Sequence, residues 1–196
     1  MGYVQCLKTQ HAAGTLFNTY TTAKSVINSQ AIARIPGDCA PLQLGDMLHV
    51  RVSGGISNVV TSQRTFTFQV MVGPAIPVTI IAHASQALLT TTTAHTLIPF
   101  VYDVWMRLDS EGSGTAAKFL SQAQLNGIMF PISGAVADPT LTTGMILCPA
   151  TAPAVGTGFD STVANYLDFF VGLSVSESTT GIQIYQYSVD LHSERN

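Results

Sequence analysis

The sequence predicts an all-β protein, an antiparallel β-sandwich of jelly-roll-like type with about eight strands. Three observations predict it. Apolar residues recur with a period of two through several runs, the pattern of strands with one buried face. Between the runs lie clusters of Gly, Pro, Ser, Asn and Asp, which is turn chemistry. The runs themselves are rich in Thr, Val, Ile and Phe, residues that fit a pleated, half-buried surface. At 196 residues the chain can bury one full core as a single domain. Residues 1–14 read as an N-terminal arm and 15–196 as one sandwich domain.

Taken in order, residues 1–10 offer only Tyr3, Val4 and Leu7 as substantial anchors, and such a terminus either frays or docks on a neighbour. Residues 15–27, with Phe17, Thr19, Thr21, Val26 and Ile27, make a first strand, and Pro36-Gly37-Asp38 makes a turn. The organising stretch is 44–72. Leu48, Val50 and Val52 share one face there against His49 and Arg51; Phe66, Phe68, Val70 and Val72 share one face against Thr65, Thr67 and Gln69. Ser53-Gly54-Gly55 and Ser57-Asn58 read as the turn between two paired strands. A one-residue slip would expose several groups whose burial contributes roughly 1.5–3 kcal/mol each, so register is strongly specified.

Past Gly73-Pro74, residues 78–82 form a short apolar strand, and the Thr-rich stretch 84–93 is a loop or an exposed strand. Residues 97–108 are apolar on both parities: Phe100, Tyr102, Val104, Met106 and Leu108 on one, Val101 and Trp105 with Asp103 and Arg107 on the other. That predicts a central strand covered on both sides, or one whose second face meets another subunit. Asp109 opens the hairpin connection DSEGSG. Phe119, Ala123 and Leu125 then return as a strand, although 116–125 also contains good helix formers. Residues 131–158 read as a long loop broken by prolines, of a length that usually marks a functional or interface segment. Leu167, Phe169, Val171, Leu173 and Val175 alternate in the next strand. In 182–191 the parity switches between Ile184 and Tyr185, which predicts a bulge or a strand buried on both sides.

Charged residues are 10% of the chain and the net charge is −3, against roughly 25% charged in an average domain. A surface so poor in charge tends to associate; a neutral Thr-rich β protein and an assembly component both fit. Without a Lys/Arg cluster, nucleic acid is not an expected partner. No uninterrupted apolar run of about 18 residues occurs, so no membrane span is read, and residues 1–15 lack the basic start and apolar core of a secretory signal. Cys6, Cys39 and Cys148 are too widely spaced for a disulfide framework or a metal motif, and reduced thiols are expected.

Chemistry is hard to find. No nucleophile elbow or Walker loop is present, and no catalytic residue, cofactor or metal is assigned. Gly112-Ser113-Gly114-Thr115-Ala116-Ala117 fits G-x-G-x-x-A but lies in a hairpin instead of opening a helix, so it reads as a turn. Asp109 and Glu111 are two carboxylates where calcium wants six to eight oxygens. His83 and His95 have no metal spacing and read as hydrogen-bonded fixtures. Trp105, Tyr102, Tyr166, Tyr185 and Tyr187 can stack on sugars or pack in a core or interface.

The order Arg34-Ile35-Pro36-Gly37, Leu44-Gly45-Asp46-Met47-Leu48-His49-Val50-Arg51, Phe66-Thr67-Phe68-Gln69-Val70-Met71-Val72-Gly73, and the closing Ile182-Gln183-Ile184-Tyr185-Gln186-Tyr187-Ser188-Val189-Asp190-Leu191 resembles tailed-bacteriophage virion structural proteins with a jelly-roll-like sandwich. The similarity spans about residues 32–191. It implies a non-enzymatic virion component, a capsid decoration or cement protein that stabilises the outside of the head as a homotrimer, assembled in the host cytoplasm. Its partners would be the major capsid protein and further copies of itself. Candidate interface residues are Tyr3, Val4, Leu7, Trp105, Tyr185 and Tyr187, with residues 1–10 or the loop 131–158 as contact segments. A tail or baseplate protein and a carbohydrate-binding module remain alternatives.

Overall fold

Fourteen strands, every pair antiparallel, make up the computed structural model, which describes residues 3–35, 37, 42–127, 130, 145–150 and 153–193. They are β1 (Tyr3–Gln10), β2 (Phe17–Asn18), β3 (Lys24–Ser25), β4 (Ala33–Ile35), β5 (Met47–Asn58), β6 (Thr65–Gly73) and β7 (Ile80–Ala84). There follow β8 (Leu88–Leu89), β9 (His95–Ser110), β10 (Lys118–Gly127), β11 (Met145–Cys148), β12 (Ala154–Val155), β13 (Asn165–Leu173) and β14 (Thr180–Ser193). One sheet has eight strands, ordered β1-β14-β5-β9-β10-β11 with β12 beside β10 and β2 beside β14. The other has six, ordered β3-β13-β6-β7 with β4 beside β13 and β8 beside β6. The fold class is the all-β antiparallel sandwich expected, with more and shorter strands than eight.

The core lies between the sheets. Leu48, Val50 and Val52 of β5, and Phe100, Tyr102, Val104, Met106 and Leu108 of β9, are buried from one side; Phe66, Phe68, Val70 and Val72 of β6, and Leu167, Phe169 and Val171 of β13, from the other. Phe68 is the hub: its ring lies 5.1–6.0 Å from those of Tyr102, Phe100, Phe169 and Phe130. Offset and edge contacts of this kind add about 0.5–1.5 kcal/mol per pair beyond area burial. The alternation read from sequence therefore identifies the inner faces correctly.

Pairing departs from the sequence reading at its centre. β5 and β6 are not partners: β5 pairs with β14 and β9, whereas β6 pairs with β13 and β7 in the opposite sheet. Nor is Ser53-Gly54-Gly55 a turn, because β5 runs straight through it. A Cβ on Gly54 would stand 2.2 Å from the Gln183 carbonyl oxygen, and one on Gly55 would stand 2.7 Å from the Tyr185 hydroxyl. Glycine here permits close approach of a neighbouring strand, its other common use within a strand. The chain crosses between sheets at 59–64 instead. There the Asn58 amide donates to the Ser62 carbonyl and to Thr90 Oγ1, and Arg64 grips Glu177 with two hydrogen bonds.

Two further expectations change. The segment read as an arm is β1, an edge strand registered against β14 from Tyr3↔Ser193 to Gln10↔Tyr187, so the sandwich has no boundary at residue 14. The segment read as a long loop contributes β11 and β12, both paired to β10; its residues 131–144 and 151–152 lie outside the described residues. Residues 118–127 are the strand that the sequence reading favoured over a helix. The parity switch in β14 is a bulge between Ile184 and Gln186, as expected. Cys6 is exposed and Cys148 buried, both as free thiols, while Cys39 lies outside the described residues.

Candidate binding face

Side chains on the odd-numbered positions of β5 and β9 and the even-numbered positions of β10 turn away from the core. Register then decides which of them meet. Across the outer face of the larger sheet, Asp190, His49, Trp105 and Gln122 stand in one row; Ser188, Arg51, Asp103, Gln124 and Leu147 form the next; His192, Met47, Arg107 and Leu120 form the one on the other side. His49 and Trp105, direct cross-strand neighbours, stack with ring centroids 4.0 Å apart and planes within 6°. His192 packs diagonally, 5.3 Å from Trp105 and 6.2 Å from His49. Trp105 nevertheless keeps 39% of its surface exposed.

The ions around this cluster neutralise one another. Asp103 Oδ1 lies 3.2 Å from His49 Nε2 and 3.6 Å from Arg51 Nε, and Arg107 reaches Asp109 at 3.0 Å. Such surface pairs contribute little to stability, but they pair the charges next to Trp105, with Asp190 farther along its row beyond His49. On its β10 side the polar groups are amides, Gln122, Gln124 and Asn126, and Gln122 donates through Nε2 to the Pro149 carbonyl at 3.4 Å. Exposed Met47, Met145, Leu147 and Val155 surround the patch. Trp, Met and Arg are the residue types enriched where proteins bind partners.

No protein family's sequence profile matches this chain, and no curated protein matches it. Solved structures that it does resemble include the CBM2 module of the evolved Dit of Lactobacillus casei BL23 phage J-1, at 10% identity over 100% of this chain and 99% of that one, with a TM-score of 0.38. Two plant lectins are also similar. The Lotus tetragonolobus seed lectin matches at 8% identity over 92% and 100% of the two chains, TM-score 0.36. Lectin I of Ulex europaeus, solved with the methyl glycoside of α-L-fucose, matches at 9% identity over 97% of each, TM-score 0.29. At such scores none of these bears on what this chain binds.

Of the candidate interface residues, Trp105 lies at the centre of the outer face and Val4 is 63% exposed on β1. Leu7 is partly buried against the core, and Tyr185 sits half-buried at the bulge of β14. The Tyr3 side chain lies outside the described residues. Tyr187 is corrected: at 1% exposure it is a core residue, its hydroxyl near the Leu167 carbonyl, because the bulge turns the second half of β14 inward. His49, His192 and Gln122 were missed. Their positions on the polar parity of three strands were readable, but only register shows that they adjoin Trp105.

A second polar cluster is sealed inside the sandwich. His83 places Nδ1 2.9 Å from Ser121 Oγ and Nε2 2.7 Å from the Tyr102 hydroxyl. Burial pushes His83 down to about 4 and the Cys148 thiol up to about 11, and raises Tyr102 well above its ordinary value. All three shifts favour the uncharged forms, so this histidine is a neutral fixture between the sheets and the thiol is not a nucleophile. His83 is thus held as the sequence reading expected. Asp109 is tied to Arg107, and the Gly112–Gly114 segment is the tip of the β9–β10 connection, with φ of 142° and 69° at its two glycines. Among the described residues no group of three metal-ligating side chains converges.

Proposed function

We propose that this chain is a non-enzymatic structural protein of a tailed-phage virion, seated on the outside of the head as a decoration protein. The observation that carries the reading is β1. It ends the larger sheet, eight residues long, with its outer edge unpaired among the described residues and Val4 exposed on it. A free edge of that length presents a row of backbone N–H and C=O groups, which natural proteins usually blunt or use for strand addition. The capsid or a neighbouring copy supplies the partner strand in this reading. The low charge of the surface and the sequence resemblance support the same conclusion.

Quantitative mass spectrometry of purified virions, counting this chain against the major capsid protein, tests it. Hundreds of copies per particle are the expected result. A few dozen would move the protein to the tail or baseplate, and absence from the particle would end the structural reading.

A further inference from the structure

The Trp105 indole stands on the outer face, 39% exposed. His49 covers one side of that ring. On the other side the cross-strand neighbour is Gln122, and its amide leans away from β9, toward the Pro149 carbonyl. Pro149 stands one residue past the Ala123↔Cys148 pair and so faces Gln122 from beyond β10. The second indole face therefore looks across the stem of Gln122 toward Pro149, over two strand spacings, about 9.5 Å. Gln124 and Leu120 are the next outward-facing residues of β10 on either side of Gln122. Neither Gln122 Oε1 nor the Gln124 amide has another partner among the described residues.

This chemistry selects its ligand. An indole face packs against apolar C–H groups, and carboxamides pair with adjacent hydroxyls as both donor and acceptor. The neighbouring ions Asp103 and Arg107 are already paired with His49, Arg51 and Asp109, so the groups left to recognise a ligand beside Trp105 are the neutral amides. We propose that the exposed Trp105 indole and the neighbouring Gln122 and Gln124 amides are a subsite for a neutral pyranose sugar, one ring stacking on Trp105 with its hydroxyl edge toward the two amides. The inference is independent of whether the protein decorates a head or a tail. It makes the outer face of the sheet an adhesive surface, separate from the β1 edge.

The chain has a single tryptophan beside six tyrosines, so fluorescence under tryptophan-selective excitation reads this site alone. Titrate the full-length protein with maltohexaose, cellohexaose and N-acetylchitohexaose, and with hexagalacturonate as the acidic counterpart. A saturable emission change with at least one neutral probe is expected. Gln122→Ala and Gln124→Ala, both at solvent-facing positions, should each weaken that probe about tenfold, or 1.4 kcal/mol; Trp105→Ala should abolish its binding heat in calorimetry. Silence with all three neutral probes, a response confined to the acidic one, or binding unchanged by both amide variants would overturn the proposal. If Trp105→Ala instead lowered the number of copies per virion while the sugars stayed silent, the face around Trp105 would be a protein contact, and the virion reading would survive without the sugar site.

Discussion

Two buried titratable residues pull on stability in opposite directions. Asp168 is 2% exposed, accepts a hydrogen bond from Ser25 Oγ at 2.9 Å and one from the Phe169 N–H, and is nevertheless pushed up to about 6, chiefly by burial. Its native form binds more protons than the unfolded chain below that value, so acidification from about pH 6 to 4 stabilises through this group. His83, lowered to about 4 by burial, binds fewer protons when native, and the same acidification destabilises through it. Each effect amounts to about 3 kcal/mol. The wild-type protein should therefore show a nearly level urea midpoint between pH 6.5 and 4. Asp168→Asn should raise stability at pH 7 by roughly 1–2 kcal/mol, the burial cost of the charge less that of the new N–H groups, and should uncover a steep acid loss due to His83. A midpoint that stayed level in the variant would show that the histidine is not held neutral. Neither burial was legible in the sequence, where Asp168 sits on the polar parity of its strand.

Strands were legible wherever one face was buried, since a period of two survives any choice of partner. β9, β10, β13 and the bulge in β14 follow from that rule. Pairing was not legible, and the Gly-Gly of β5 shows why: the same dipeptide serves a tight turn and a close inter-strand approach, and only the neighbour tells them apart. The close approach makes a sharp prediction. Gly54→Ala would place a methyl 2.2 Å from the Gln183 carbonyl and 3.0 Å from the Phe100 ring, and the Gln183 backbone cannot yield cheaply. A loss of about 1–3 kcal/mol is expected by urea denaturation. Gly14→Ala is the control, because its methyl would meet the Ile184 oxygen at 3.5 Å, an ordinary contact. Equal stabilities for the two variants would mean that β5 and β14 are not packed as described.

At the scale of the whole molecule, the two proposed contacts fall on different surfaces, the outer face and the β1 edge, and neither placement could be read from one sequence. Trp105 was a candidate from its residue type, but its stacking on His49 depends on a register between strands some fifty residues apart. The β1 edge has a consequence set by symmetry. If two β1 strands pair with each other antiparallel, the contact is isologous and closes at a dimer; a homotrimer requires β1 to meet a different surface of the next copy. The trimer reading therefore predicts a sedimentation-equilibrium mass of three times 20.8 kDa at micromolar concentration, with a heterologous contact at Val4. Val4→Lys should break it, since a lysine on an exposed edge opposes strand addition. Because Val4 is exposed in the single chain, the thermal midpoint of the dissociated protein should be unchanged. A wild-type mass of one or two copies would remove the trimer, and two copies dispersed by Val4→Lys would identify the β1–β1 dimer as the form in solution.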